Sequence, residues 1–131
     1  MAPAEDTPLP TDGSPGAFSV ATLNKRPDFL RAARARRVPC PAFLLQARQR
    51  APDEASEAPI RVGFTCSKKV GNAVARNRAK RRLREIARAV LPLEGKPGWD
   101  YVLIGRKDET ATRDFAAMQD DLRRALRKLH R

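Results

Sequence analysis

The sequence predicts an α+β fold, a small mixed or antiparallel sheet packed with three helices, and three stretches predict it. Ile60, Val62, Phe64 and Cys66 alternate with Arg61, Gly63, Thr65 and Ser67, the period-2 pattern of a strand with one buried face. Residues 72–91 follow a helical period, with Ala75, Ala79, Leu83, Ile86, Ala87 and Val90 on one arc. Residues 99–106 (WDYVLIGR) form a near-continuous apolar run, which suits a central strand covered on both faces. With 131 residues, the chain is of single-domain size.

Taken in order, residues 1–22 hold four of the eleven prolines, two glycines, three acids and no base. Such a stretch cannot bury enough apolar surface to offset the entropy of ordering, so it reads as a disordered acidic tail, with the folded domain over 23–131. Pro27 suits the first turn of a short helix and Asp28 its positive end. Phe29, Leu30 and Ala33 fall at helical spacing, and the helix ends before Pro39. Residues 41–48 (PAFLLQAR), apolar and bounded by proline, read as a strand. Residues 49–59, with Pro52, Pro59 and three acids, read as a solvated loop. The long helix closes at Pro92, and a final helix starts near Thr112 with Phe115, Met118, Leu122, Leu126 and Leu129 on one face.

Several function classes are excluded. No apolar run approaches the roughly 20 residues that span a bilayer, and the first residues lack a signal-peptide profile, so the cytoplasm is expected. Two cysteines, Cys40 and Cys66, make no disulfide framework and have no metal-ligand spacing. The single histidine, His130, sits one residue from the end, where fraying and solvation are the rule. No catalytic residue and no metal ligand is assigned.

Charge is the strongest signal. Lys and Arg number 27 against 15 Asp and Glu, a net +12, which argues for a polyanionic partner. Residues 68–88 alone carry nine bases and one acid, Glu85. Solvated helices usually mix signs, because like-charge i,i+4 pairs repel. Here Arg78/Arg82 and Arg84/Arg88 lack an acid to relieve them. Arginine outnumbers lysine six to one over residues 76–88, and guanidinium forks bind phosphate bidentately. The helix's apolar arc is Ala-rich and lacks Trp or Phe, which disfavours an anionic membrane surface. The turn Ser67-Lys68-Lys69-Val70-Gly71-Asn72 provides a flexible Gly and a capping Asn, without the P-loop pattern.

These residues carry a resemblance. Ser67 to Val74 (SKKVGNAV) followed by Arg76-Asn77-Arg78 closely resembles the signature of the bacterial ribonuclease P protein family. More weakly, the likeness extends over about residues 23–130. It implies an α-β-β-β-α-β-α-like domain with a left-handed crossover at the basic helix, and places the strand not read from the residues near the central loop. It also implies a protein subunit that binds the catalytic ribonuclease P RNA, one protein to one RNA, and promotes removal of the 5′ leader from precursor tRNA. Mg²⁺ bound mainly by the RNA would perform the hydrolysis. The implied RNA-subunit surface comprises Lys68, Lys69, Asn72, Arg76, Asn77, Arg78, Lys80, Arg81 and Arg84. The implied leader cleft, between the first helix and the sheet, comprises Phe29, Phe43, Arg61 and Thr65. Ala33 stands where the family carries a second aromatic, and Gln46 lies near where another is expected.

Core packing is the competing role for Phe29 and Phe43. For the whole chain, the alternatives are a non-catalytic, ribosomal-protein-like RNA-binding module and a metal-dependent nuclease. The second needs clustered carboxylates, whereas the acids here are scattered and Asp120-Asp121 reads as a solvated face.

Overall fold

A computed structural model describes residues 19–52 and 59–130. In chain order its elements are β1 (Val20–Thr22), α1 (Arg26–Ala33), β2 (Arg36–Pro39), β3 (Phe43–Gln49) and β4 (Ile60–Thr65). A 3-10 turn (Lys68–Val70) leads into α2 (Ala73–Glu94), followed by β5 (Trp99–Gly105), the four-residue α3 (Glu109–Thr112) and α4 (Phe115–Leu129). The strands form one mixed sheet in the order β1-β4-β5-β3-β2. β1 and β5 run parallel to β4, while β3 is antiparallel to β5 and β2 to β3. As its apolar run suggested, β5 is central.

Strand alternation divides the core in two. Phe43, Leu45, Ile60, Val62, Tyr101 and Leu103 meet Leu83, Ile86 and Leu91 of α2 and Met118, Leu122 and Leu126 of α4. Burying each such side chain contributes about 1.5–3 kcal/mol. On the opposite face, the short α1 covers a smaller cluster of Leu23, Ala32 and Val102, with Phe29 and Ile104 packed against it. There Gly63 is required by close approach: a Cβ would lie 2.5 Å from Cε1 of Phe29.

Five elements, β1, β2, α1, α2 and α4, depart from the sequence reading. Residues 1–18 of the acidic tail lie outside the described residues, but Val20–Thr22, assigned to that tail, form β1, with Val20 paired to Ile60 and fully buried. β2 is likewise absent from the residue reading, and it stands before β3 rather than at the central loop, of which residues 53–58 lie outside the described residues. In α1 the buried positions are Asp28 and Ala32, not the Phe29-Leu30-Ala33 set, and Leu30 is exposed. Arg31 and Arg61 draw the Asp28 carboxylate inward, at 3.1 and 3.6 Å.

Pro92 does not close α2, which continues to Glu94 with the ring buried. In the last turn a proline removes only its own N–H donor, and the helical bonding resumes beyond it, Gly95 N–H donating to Leu91 O at 2.9 Å. Thr112 ends α3 instead of starting α4. Asp114 is the cap, its carboxylate accepting from Ala117 N–H at 3.1 Å.

Candidate nucleic-acid interface

Parallel strands β4 and β5 are neighbours, so their C-terminal ends open on the same edge of the sheet, and the basic segment starts there. Ser67 Oγ accepts from Lys69 N–H at 3.3 Å, closing the 3-10 turn. Gly71, at φ 141°, then turns the chain where a Cβ would lie 2.9 Å from Cβ of Ala75. Asn72 Oδ1 accepts from Ala75 N–H at 2.9 Å and caps α2. The Ser-Lys-Lys-Val-Gly-Asn run is thus first a piece of local architecture. It holds Lys68 and Lys69 in solvent beside the first turns of α2.

Along α2, Asn77, Arg78, Arg81 and Arg84 are exposed, and Arg76 and Lys80 are half-buried. Arg84 lies over the Phe64 ring at 5.5 Å. Among the described residues, no cation from Lys68 to Arg84 has an acidic partner within 4 Å. Along the rest of α2 and along α4 pairing is common: Arg88 with Glu85 at 3.8 Å, Arg123 with Asp120 at 2.8 Å, and Arg127 with Glu94 at 3.4 Å. Arg113 and Arg124 share the buried Asp121. The unpaired cations of α2 and the turn before it therefore gather as a ridge toward the start of the helix, and the other half of α2 is locally balanced.

Arg82 is the exception within the ridge, and it corrects the reading of Arg78/Arg82 as an unrelieved pair. Its guanidinium turns inward, donating to Thr110 O at 2.9 Å, to Arg113 O and to Met118 Sδ at 3.5 Å, beneath the Phe115 ring. It ties α3 and α4 to α2.

The sequence reading missed Arg106 and Lys107. Both are exposed on the connection from β5 to α3. Arg106 faces Arg78 across a cavity at the ridge's start. The usable signal was the adjacency of parallel β4 and β5, which brings the loops after them together.

The four proposed cleft residues do not all share a face. Arg61, Gly63 and Thr65 alternate toward α1, where Phe29 lies half-buried over Gly63. Phe43, by contrast, is fully buried in the main core with Leu45 and Ala47. A ring with no exposed surface cannot stack on a nucleotide, so Phe43 belongs to the core. Leu44, Ile104 and Thr65 lie in one row across the sheet and are half-buried on the α1 face. Arg61 donates to Asp100 at 2.8 and 2.6 Å and anchors that carboxylate from the same face.

Burial pushes the Cys40 thiol up to about 11, with Asp121 adding to it, and burial also raises Cys66. Neither is an activated thiolate. His130 is not frayed: its Nε2 lies 2.8 Å from the Tyr101 hydroxyl and its ring meets Trp99 edge-on at 4.5 Å. The described residues hold no group of three or more His, Cys, Asp or Glu placed to bind a metal. The buried carboxylates Asp28, Asp100 and Asp121 are each engaged by arginines.

Sheet, helices and ridge together define a small, strongly basic α+β protein whose unpaired cations gather along one helix. The family model described as "Ribonuclease P" matches residues 19–130. A Ribonuclease P protein component from Ruegeria pomeroyi is 68% identical over 111 residues, covering 85% of this chain and 87% of the relative. One from Caulobacter vibrioides is 50% identical, covering 86% and 73%. The solved RNase P protein from Thermotoga maritima shares the fold with a TM-score of 0.62 at 27% identity, covering 82% of this chain and 96% of that one. The chain belongs to the ribonuclease P protein family. With the family come the coarse activity, tRNA processing by an endoribonuclease of which these proteins are a component, and an RNA partner.

Proposed function

We propose that this protein grips the catalytic RNA of ribonuclease P through the ridge of residues 68–84, extended by Arg106 and Lys107. On this reading it positions the 5′ leader of precursor tRNA along the α1 face of the sheet, one protein to one RNA, in the cytoplasm. The observation that carries the reading is the contrast in pairing along α2 and α4. Arg88, Arg123 and Arg127 have acidic partners, and the ridge cations have none among the described residues. Self-repelling guanidinium groups left unpaired on a helix are relieved when phosphates neutralise them.

Among the described residues the buried carboxylates are already held by arginines. On this reading Mg²⁺ sits mainly on the RNA, where it would supply the hydrolytic chemistry. The protein's part is binding and placement. On the leader side, Phe29, Thr65, Leu44 and Ile104 offer a shallow apolar floor, and Arg61 lies at its margin. With Phe43 in the core and Ala33 on α1, aromatic stacking there rests on Phe29 alone among the proposed cleft residues.

Reconstitution tests the reading. Added to a bacterial ribonuclease P RNA at low Mg²⁺, the full chain accelerates 5′ maturation of precursor tRNA and cleaves nothing without the RNA. Failure to accelerate, or cleavage by the protein alone, overturns it.

A further inference from the structure

At the start of the ridge lies a cavity of about 430 Å³ between the 3-10 turn, α2 and α3. That is within the roughly 300–1,000 Å³ of small-molecule clefts. Its floor is apolar: Val70, Val74, Ala75 and Ala111. Val74 is 77% exposed, the most exposed large apolar side chain among the described residues. Around this floor stand Arg78, Arg106 and Asp108. None of the three makes an ion pair among the described residues, although they ring one cavity. Their free charges surround an apolar surface with no intramolecular cover.

We infer that this cavity receives one unstacked nucleobase of the RNA partner, a deepening that rests on the RNA-binding reading of the ridge. The floor covers the base's faces, and Arg78 and Arg106 take the flanking phosphates. The cavity is continuous with the ridge and cationic at its rim, which matches a polyanionic strand rather than a neutral ligand. The Asp108 carboxylate, an acceptor only, discriminates at the base edge. It accepts from amino-bearing bases, cytosine above all, and repels the O4 acceptor of uracil.

The experiment uses the full chain and RNA pentamers of stable abasic spacers carrying cytosine, uracil or no base at the central position. Affinity is read by fluorescence anisotropy and occupancy by the methyl NMR signals of Val70 and Val74. The cytosine pentamer is expected to bind about fivefold or more tighter than the abasic one and to shift both valine signals. Asp108→Asn should level cytosine with uracil. Val74→Asn, at a solvent-exposed position, should abolish the gain from the base and leave abasic binding unchanged. Equal binding of based and abasic pentamers with unmoved valine signals, while ribonuclease P RNA still binds, overturns the pocket and leaves the ridge reading standing. If the RNA does not bind either, both readings fall.

Discussion

The Tyr101 hydroxyl lies 2.8 Å from His130 Nε2 and also accepts the Lys96 backbone N–H at 2.9 Å. One phenol thus joins central strand β5, the exit of α2 and the end of α4. Burial, then the Lys96 and Arg36 cations, lower the histidine's pKa from 6.5 to about 4. The folded protein therefore holds the ring neutral where the unfolded chain would protonate it. This contribution to stability is complete above pH 6.5 and is lost as the pH falls toward about 4. The stability gap between the native chain and His130→Leu, from urea midpoints, should narrow between pH 7.5 and pH 5. A constant gap contradicts the neutral assignment.

Gly63→Ala places a methyl 2.5 Å from Cε1 of Phe29 and 3.1 Å from Cβ of Leu23. The expected cost is about 1–3 kcal/mol from overpacking. Adding Phe29→Ala should recover part of it in a double-mutant cycle. Simple additivity would mean that α1 does not rest on Gly63.

Asp100 is fully buried and is held by Arg50 at 2.6 Å and Arg61 at 2.6 Å. Removing its charge takes from Arg50 and Arg61 the carboxylate they share in a poorly solvated site, although Arg50 keeps the Pro59 carbonyl and Arg61 keeps Asp28. Asp100→Asn should therefore cost about 3–5 kcal/mol in urea unfolding. A loss below about 1 kcal/mol would show that water already screens the pair.

Arg81 and Arg82 are sequence neighbours with opposite duties. Arg82→Ala removes the tie to α3 and α4 and should cost about 1.5–3 kcal/mol of stability. Arg81→Ala, at an exposed position, should leave stability within about 0.5 kcal/mol and weaken RNA binding. Thermal melts and RNA titrations on the two variants separate the roles, and a reversal would reassign both.

Periodic elements were legible because burial on one face imposes a period: the alternation at Ile60, Val62 and Phe64 and the α2 arc reappear in the core. β1 was hidden because composition averaged over a Pro-rich stretch obscures three residues that pair with an existing strand. β2, reading Arg-Arg-Val-Pro, has no apolar alternation and is held as an edge strand by β3. Of the two roles open to Phe43, core packing is the one it takes, and its parity with Leu45 and Ala47 marks that face. The inward turn of Arg82 depends on carbonyls at Thr110 and Arg113, about thirty residues away, which no local pattern reveals. The ridge itself was legible, since net charge concentrated in one segment survives any folding. Its extension through Arg106 and Lys107 needed the parallel pairing of β4 with β5.

The central claim, that unpaired cations rather than basic charge in general hold the RNA, is tested most directly by salt titration. Binding of a bacterial ribonuclease P RNA is measured for the native chain, for Arg78→Ala/Arg81→Ala and for Arg123→Ala/Arg127→Ala. Circular dichroism confirms that each folds. The account predicts that the first pair loses affinity and that its slope of log affinity against log salt falls in magnitude by roughly 2, one for each lost phosphate contact. The second pair should match the native chain. Equal losses from both pairs, or a larger loss from Arg123 and Arg127, would contradict it.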